Sequence, residues 1–506
     1  MITELSEDKR FLIIKDCTQD EYNQVLTSYT KTVDGYRFSP LYKKGLWDGT
    51  IKFIKGASIP SGTYMYLYET MQEFNYELKM YGLKRMFDQT ITLESYTEWV
   101  NDFFKDSKFK PRDYQIESAF KIIKYKRCLS ELATSAGKTL ICFMVLAYLL
   151  DNKKLNGKIL MIVPNVSLVL QSSGDFEEYN TERLPLIIQQ IYADFKTKEN
   201  ANIMVGTYQS LVKMDKSFYE QFDCVIVDEC HRTPAASIKK VLEMCWHCEY
   251  RFGVTGTLPN KKNADYLTLQ TYMGPLVTTV KAKELQDRGF ISNCTIVQIR
   301  MDYAEEETKM HLYNSHTLLI RSKKNNESFE LEKNFVIEND KRFWFVIDLI
   351  RKTTKNTLVL FHRIEYGTKI FETLKELGIN KKVYYIDGSV NKNKREEIRK
   401  TMDEVDNVIL IASYQTFATG VSVDHIYNVF FTESFKSPYI VIQAIGRSLR
   451  LKDKENKEKN KATIIDLVDD FRIGSHQNYL YRHGVERIKQ YKEQQYPYKI
   501  KKVKIP

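Results

Sequence analysis

Two regimes alternate along the chain. Short runs of almost continuously apolar residues end in small or polar positions, and stretches with apolar residues at helical spacing follow them. The first series of runs is Cys128–Ala133, Lys158–Pro164, Ala201–Thr207, Asp223–Glu229 and Arg251–Thr257. The second is Thr357–His362, Lys382–Gly388, Asn407–Ser413, Ile426–Glu433 and Ala462–Asp469. Runs such as Ile159–Val163 and Val408–Ile411 suit parallel strands covered on both faces. Their alternation with helices predicts an α/β chain with two doubly wound parallel-sheet domains in tandem. Ligands in such sheets bind at the carboxyl ends of the strands, which is where the polar clusters fall.

The pattern divides the 506 residues into four parts. Residues 1–106 are rich in Tyr, Phe and Trp and read as a small α+β N-terminal domain, a candidate for DNA binding. Residues 107–285 and 286–475 hold the two series of runs, and 476–506 form a short helical extension with a basic tail. Met301–Asp340 is charged and without clear period, with Ser322–Glu327 the expected flexible segment. Leu451–Lys461 reads as a solvated lysine-rich loop. The tail Tyr496–Lys504 carries four lysines that either meet backbone phosphates or remain disordered. The apolar run Phe11–Ile14 is too short for a secretory signal, and Leu140–Leu150 is too short to span a bilayer. A soluble intracellular protein with no membrane partner is expected.

Composition changes this picture little. Hydrophobic residues make up 43% and charged residues 28%, ordinary for a globular chain, while the net charge of +11 suits a polyanionic partner. The eight cysteines show no disulfide framework. Cys245 and Cys248 have the spacing of half a zinc site, but no second pair matches them, so packing is the simpler role.

Chemistry enters with Ala133-Thr-Ser-Ala-Gly-Lys-Thr139, set between a strand and the apolar helix Leu140–Leu150. A phosphate-binding loop needs inward backbone N–H groups, a helix N-terminus and a lysine for the β/γ-phosphates. Thr134, Ser135, Ala136 and Gly137 supply the loop, Lys138 the cation, and Thr139 a magnesium-ligating hydroxyl. Leu132 stands where the general motif has its first glycine. Asp223-Cys-Val-Ile-Val-Asp-Glu-Cys-His231 is a buried strand ending in adjacent carboxylates. Asp228 would hold Mg²⁺, and Glu229 would orient or activate the attacking water. In the second domain, Gln443-Ala-Ile-Gly-Arg-Ser-Leu-Arg450 places Arg447 and Arg450 on one helical face with Gln443 close by. Arginine fingers can contribute about 10³–10⁵ in phosphoryl-transfer rate, and a site split between two domains would couple ATP turnover to domain closure.

The order of these motifs resembles that of superfamily 2 helicases over roughly residues 107–470. Such helicases have two RecA-like domains and use ATP and Mg²⁺. Arg112-Asp-Tyr-Gln115 looks like their adenine-recognising element, through Arg112 and Gln115. Thr255-Gly-Thr257 is similar to the motif that couples hydrolysis to strand separation. Pro164-Asn165 and Gly206-Thr207-Tyr208-Gln209 resemble strand-contacting motifs. Phe361-His362-Arg363, Asp387-Gly388 and Thr419-Gly420 occupy comparable places in the second half, whereas Ser422 stands where many relatives carry aspartate.

A narrower resemblance links both ends to the phage UvsW helicase family. It rests on Asp34-Gly-Tyr-Arg-Phe-Ser-Pro40, Gly45-Leu-Trp-Asp-Gly49 and His483-Gly-Val-Glu-Arg-Ile-Lys-Gln-Tyr491. It implies a recombination and repair motor on branched or partly single-stranded DNA, acting in the cytoplasm of a phage host. From the residues themselves, Tyr36, Phe38, Tyr42 and Trp47 alternate with Arg37, Lys43, Lys44 and Lys52. Aromatic faces can stack on bases while cations follow phosphates, but the same aromatics could form the core of a small domain. An RNA helicase, a duplex translocase that separates no strands and a catalytically silent binding scaffold are the alternatives.

Overall fold

The computed structural model describes residues 1–180, 182–192, 200–233, 235–303, 306–321, 325–390, 392–420, 426–434 and 461–505. The chain forms two compact units, Met1–Val280 and Lys281–Pro506.

The first unit opens with a four-stranded sheet in the order Ser58–Pro60, Phe11–Asp16, Ile2–Leu5, Lys79–Tyr81. Helices Gln19–Ser28 and Tyr64–Glu73 bury Val25, Leu67 and Met71 against Leu5, Leu12 and Ile59. Thr18 starts the first of these with a capping box closed by Glu21. A short ladder, Thr30–Thr32 with Thr50–Lys52, leads out to and back from residues 33–49.

A seven-stranded, wholly parallel sheet follows, in the order Leu276–Val280, Arg127–Leu132, Tyr250–Thr255, Phe222–Asp228, Lys158–Val163, Ile203–Thr207, Ile188–Ile191. Its central strands are buried on both faces, which explains their unbroken apolar sequence. The helix Lys138–Asp151 is apolar all round and buried from Leu140 to Leu149, so it holds the phosphate loop on a fixed base.

The second unit carries another seven-stranded parallel sheet. Its order is Lys382–Ile386, Val408–Ser413, Thr357–Phe361, Asn428–Phe431, Lys461–Asp470, Asn293–Tyr303, Tyr498–Ile505. The two tandem RecA-like sheets and the small N-terminal α/β region agree with the architecture expected from the sequence. Buried Arg342 ties the second sheet together by donating to Asp469, to the Tyr366 hydroxyl and to the Thr432 carbonyl.

Two expectations need correction. Met301–Asp340 is not irregular: it contains the helices Glu306–Arg321 and Asn325–Glu338. Their buried stripe is narrow, with Leu312 and Val336 at its centre, and charged residues dilute the period around it. The basic tail is not disordered. Tyr498–Ile505 pairs in parallel with Asn293–Tyr303 as the edge of the sheet, after the helix Tyr479–Glu493. Its exposed Lys499, Lys501, Lys502 and Lys504 protect that edge from further pairing. Residues 451–460 and 322–324 lie outside the described residues. No helix among the described residues is long and apolar enough to cross a membrane.

Candidate nucleotide site and nucleic-acid contacts

The strand Arg127–Leu132 delivers the phosphate loop, and Gly137 turns it into the helix with φ +79°. A side chain on Gly137 would collide with the Gln115 amide nitrogen, 2.4 Å from the position of a Cβ. Ser135 also takes a left-handed conformation, at φ +70°, a backbone cost of the kind functional loops carry. The helix Asp113–Tyr125 fixes the loop from behind, because the Tyr114 hydroxyl and the Gln115 Nε2 both donate to the Ala136 carbonyl at 2.9 Å. The Arg112 backbone N–H donates to Gln115 Oε1 at 2.9 Å. Arg112 and Gln115 are therefore joined to each other, and Gln115 to the loop.

The carboxylates expected to work with the loop end a neighbouring strand. Lys138 Nζ reaches Glu229 Oε1 at 3.2 Å. Glu229 Oε2 lies 3.3 Å from His231 Nδ1, which lies 2.9 Å from Thr255 Oγ1. Thr255 Oγ1 is also 3.4 Å from Glu229 Oε2 and donates to the Thr257 carbonyl at 3.0 Å. One continuous polar path thus joins the loop lysine, the acidic box and the Thr255–Thr257 turn. Glu229 adopts φ +49°, which swings its side chain out of register with the strand before it.

Electrostatics separates the two acids. Burial drives the Asp228 carboxyl upward, the charge of Glu229 adds to this, and Lys138 opposes it. Burial would raise Glu229 too, but Lys138 and His231 outweigh it and hold Glu229 well below the usual carboxylate range. Glu229 is thus kept charged beside the lysine, while Asp228 is short of positive partners, a deficit that a divalent cation would fill.

Further features fit a phosphate guest. Thr134 Oγ1 is buried without a hydrogen-bond partner among the described residues. Gly256 faces it: a Cβ there would stand 3.4 Å from Thr134 Oγ1 and 3.6 Å from Lys138 Nζ. Thr139 lies in the first turn of the helix behind the loop. His231 and Gly256, which were not assigned roles from the sequence, prove part of the site; the histidine of the acidic box was its available signal.

The other expected residues are more dispersed. Pro164 and Asn165 follow the strand Lys158–Val163, with Asn165 Oδ1 accepting from the Leu168 N–H, and Thr207 caps the short helix that carries exposed Gln209. His362 is exposed at the end of its strand, where its backbone N–H and that of Arg363 donate to buried Glu433. Thr419 and Gly420 end the helix Tyr414–Gly420. Gln443, Arg447 and Arg450 lie outside the described residues. Tyr36, Arg37 and Trp47 belong to the excursion 33–49, not to the N-terminal core. Tyr36 packs on Tyr42 edge to face, Trp47 donates to the Thr50 carbonyl, and Phe38 and Leu46 are each 72% exposed. Cys245 and Cys248 are buried packing residues, and no metal-competent group of three or more ligands occurs among the described residues.

A phosphate loop facing an acidic strand end, in the first of two tandem RecA-like sheets, defines a nucleotide-driven motor of the helicase class. Residues 108–260 match the family of the type III restriction enzyme res subunit, and 341–452 match the helicase conserved C-terminal domain. The chain belongs to the superfamily 2 helicases and is an ATP-dependent enzyme. It is 28% identical over 97% of its length to the ATP-dependent DNA helicase uvsW of Enterobacteria phage T4, covering 97% of that protein. Its fold is similar to a fragment of a putative HsdR subunit of a type I restriction enzyme from Vibrio vulnificus YJ016. That match has 19% identity and a TM-score of 0.55, over 80% of this chain and 71% of the other. It is also similar to S. cerevisiae Dbp5 bound to RNA and ADP BeF3, at 14% identity and a TM-score of 0.52, over 80% of this chain and 93% of the other.

Proposed function

We propose that this chain is an ATP-dependent DNA helicase or translocase that remodels branched or partly single-stranded DNA during recombination, repair and replication. Branch migration, fork regression and the unwinding of hybrids or displaced strands are its reactions, carried out in the cytoplasm. The observation that carries the ATPase reading is the path Lys138–Glu229–His231–Thr255. The full-length similarity to a DNA helicase supports the choice of DNA.

In this reading the loop Thr134–Thr139 cradles the phosphates and Lys138 meets their charge. Glu229 orients the attacking water, and the held position of its carboxylate preorganises that step. Thr139 and Asp228 would hold Mg²⁺, which neutralises charge on the β- and γ-phosphates. Gln443, Arg447 and Arg450 complete the site from the second helicase domain. Thr255 and Thr257, with Thr419 and Gly420, pass the state of the nucleotide on to the nucleic-acid contacts. Pro164, Asn165, Thr207, Gln209 and His362 touch the strand, and Tyr36, Arg37 and Trp47 contact the branch.

The test is ATP hydrolysis at fixed low salt with no nucleic acid, single-stranded DNA, duplex, forked DNA, a four-way junction and structured RNA. The expected result is strongest stimulation by the fork or the junction. Stimulation by RNA alone would replace DNA as the substrate, and stimulation by duplex without strand separation would make the chain a translocase only. Absence of hydrolysis with every substrate would leave a binding scaffold.

A further inference from the structure

A second charged site lies at the opposite end of the first RecA-like sheet. Arg127 and Arg251 sit side by side near the amino ends of adjacent parallel strands, whose carboxyl ends carry the phosphate loop and Thr255. Three guanidinium carbons surround the indole of Trp246: Arg251 at 4.2 Å from its centre, Arg10 at 5.3 Å and Arg127 at 6.0 Å. Trp246, Arg10 and Arg127 line a cavity of about 440 Å³ between the N-terminal sheet and the floor of the RecA-like sheet, with Arg85 and Lys126 on its walls. That volume falls in the range of small-ligand sites.

The cavity is short of negative charge. Glu7, Asp8 and Glu249 line it, but Glu249 pairs with Lys126, and Asp8 lies 3.6 Å from Arg10. Arg127 donates to the carbonyls of Trp246 and Cys248, so it has hydrogen bonds but no carboxylate within ion-pair distance among the described residues. Arg251 lies behind the cavity lining, is only 1% exposed, and its Nε and Nη1 have no hydrogen-bond partner among the described residues. Trp246 Nε1 is likewise buried without an acceptor. Burial, followed by the charge of Arg127, pushes the Arg251 guanidinium well below its usual range. Stacked on Trp246 beside Arg127, this buried cation adds to a positive field that an acceptor-rich anion in the cavity would balance.

We infer that this cavity is a phosphate-binding site separate from the ATP site, in which Arg10 and Arg127, with Arg85 on the wall, meet the phosphoryl oxygens of a ligand, while Arg251, stacked on Trp246, adds positive charge from behind the lining. Guanidinium forks match phosphate geometry and give up water more readily than ammonium groups, which favours phosphate at this partly desolvated place. The phosphate could come from a free nucleotide or pyrophosphate, or from a nucleic-acid backbone, and the two sources can be told apart.

The experiment uses the full chain carrying Lys138→Ala, so that binding at the phosphate loop is disabled. Calorimetric titration is run with inorganic pyrophosphate and, separately, with a ten-nucleotide single-stranded DNA lacking terminal phosphates. Arg10→Gln is then added; Arg10 is a surface side chain whose loss leaves the fold intact. The expected result is a tenfold or greater loss of affinity for one of the two probes, and the affected probe identifies the source. In parallel, pyrophosphate or the oligonucleotide should raise the melting temperature of the Lys138→Ala chain but not of the same chain carrying Arg127→Met. Unchanged binding of both probes after Arg10→Gln would overturn the assignment, as would equal stabilisation with and without Arg127.

Discussion

Removing Arg487 should loosen the second unit by a defined amount. Its fully buried guanidinium grips Asp466 with Nε at 3.0 Å and 3.1 Å from the two carboxylate oxygens and Nη2 at 2.7 Å. Asp466 also accepts from the Tyr491 hydroxyl at 3.0 Å and from Gln298 Nε2 at 2.9 Å. Arg487→Met leaves that carboxylate buried without its cation, at a cost of about 3–5 kcal/mol. At about 1.4 kcal/mol per factor of ten, amide exchange in the strand Lys461–Asp470 should accelerate by about two to three and a half orders of magnitude. Hydrogen exchange read by mass spectrometry on peptides of that strand measures the change directly. Asp466→Leu should cost a similar amount, because it strands the arginine instead. The double variant should cost little more than either single one, since no unpaired ion remains and only neutral groups such as the Tyr491 hydroxyl and the Leu467 carbonyl lose a partner. Strict additivity of the two losses would refute the argument that the buried pair acts as one unit.

Glu229→Gln should still bind ATP but slow nucleic-acid-stimulated turnover by about 10²–10⁴, as loss of a positioned base does; phosphate release and nucleotide binding measured side by side check both halves. Thr255→Val removes the hydroxyl shared by His231, Glu229 and Thr257 while keeping the shape of the side chain. ATP consumed per base pair displaced should rise several-fold, and an unchanged ratio would remove Thr255 from the coupling path. All eight thiols are free, and seven are buried, with burial raising the thiols of Cys128, Cys142, Cys224, Cys230 and Cys294. A thiol reagent at neutral pH should therefore modify the native chain at Cys17 alone and all eight positions in denaturant, and fast native labelling of a second cysteine would contradict the packing described.

The parts of the fold legible in the sequence are those whose information is local. Central strands such as Lys158–Val163 are apolar without interruption because both faces are covered, and the phosphate loop is a contiguous string. Of the edge strands of the two large sheets, Lys382–Ile386 was legible and the others were not. Ile188–Ile191 has two glutamines at its centre, and Tyr498–Ile505 mixes lysines with apolar residues because one side and one edge face water. The C-terminal stretch His483–Tyr491 could be matched to a family, yet its physical purpose appears only in three dimensions. A Cβ on Gly484 would come within 2.7 Å of the Val468 side chain, while Arg487 and Tyr491 converge on Asp466. In the nucleotide site, Lys138 and Glu229 were legible as types at a familiar spacing. The turn of His231 toward Thr255 depends on the packing of two strands and was not. Cys245 and Cys248 had metal-like spacing for a packing reason: both are buried, and the Cys248 thiol donates to the Phe222 carbonyl.

A parallel sheet imposes a polarity on everything attached to it. All carboxyl ends lie along one edge, so the strand Tyr250–Thr255 ends at the nucleotide network and begins beside Arg251. At about 3.3 Å per residue, Arg251 and Thr255 are separated by roughly 13 Å, beyond the range at which substitutions usually couple without a shared partner. Side chains at the two ends can influence each other only if the strand itself shifts. This strand is hydrogen-bonded on both sides, to Arg127–Leu132 and to Phe222–Asp228, and is buried along its whole length, which makes it a poor spring. The physical expectation is that the floor cavity and the ATP site hold their ligands independently. Any communication between them would then run through the N-terminal region that supplies Arg10 and Arg85, the same module that presents Phe38 and Leu46 to solvent.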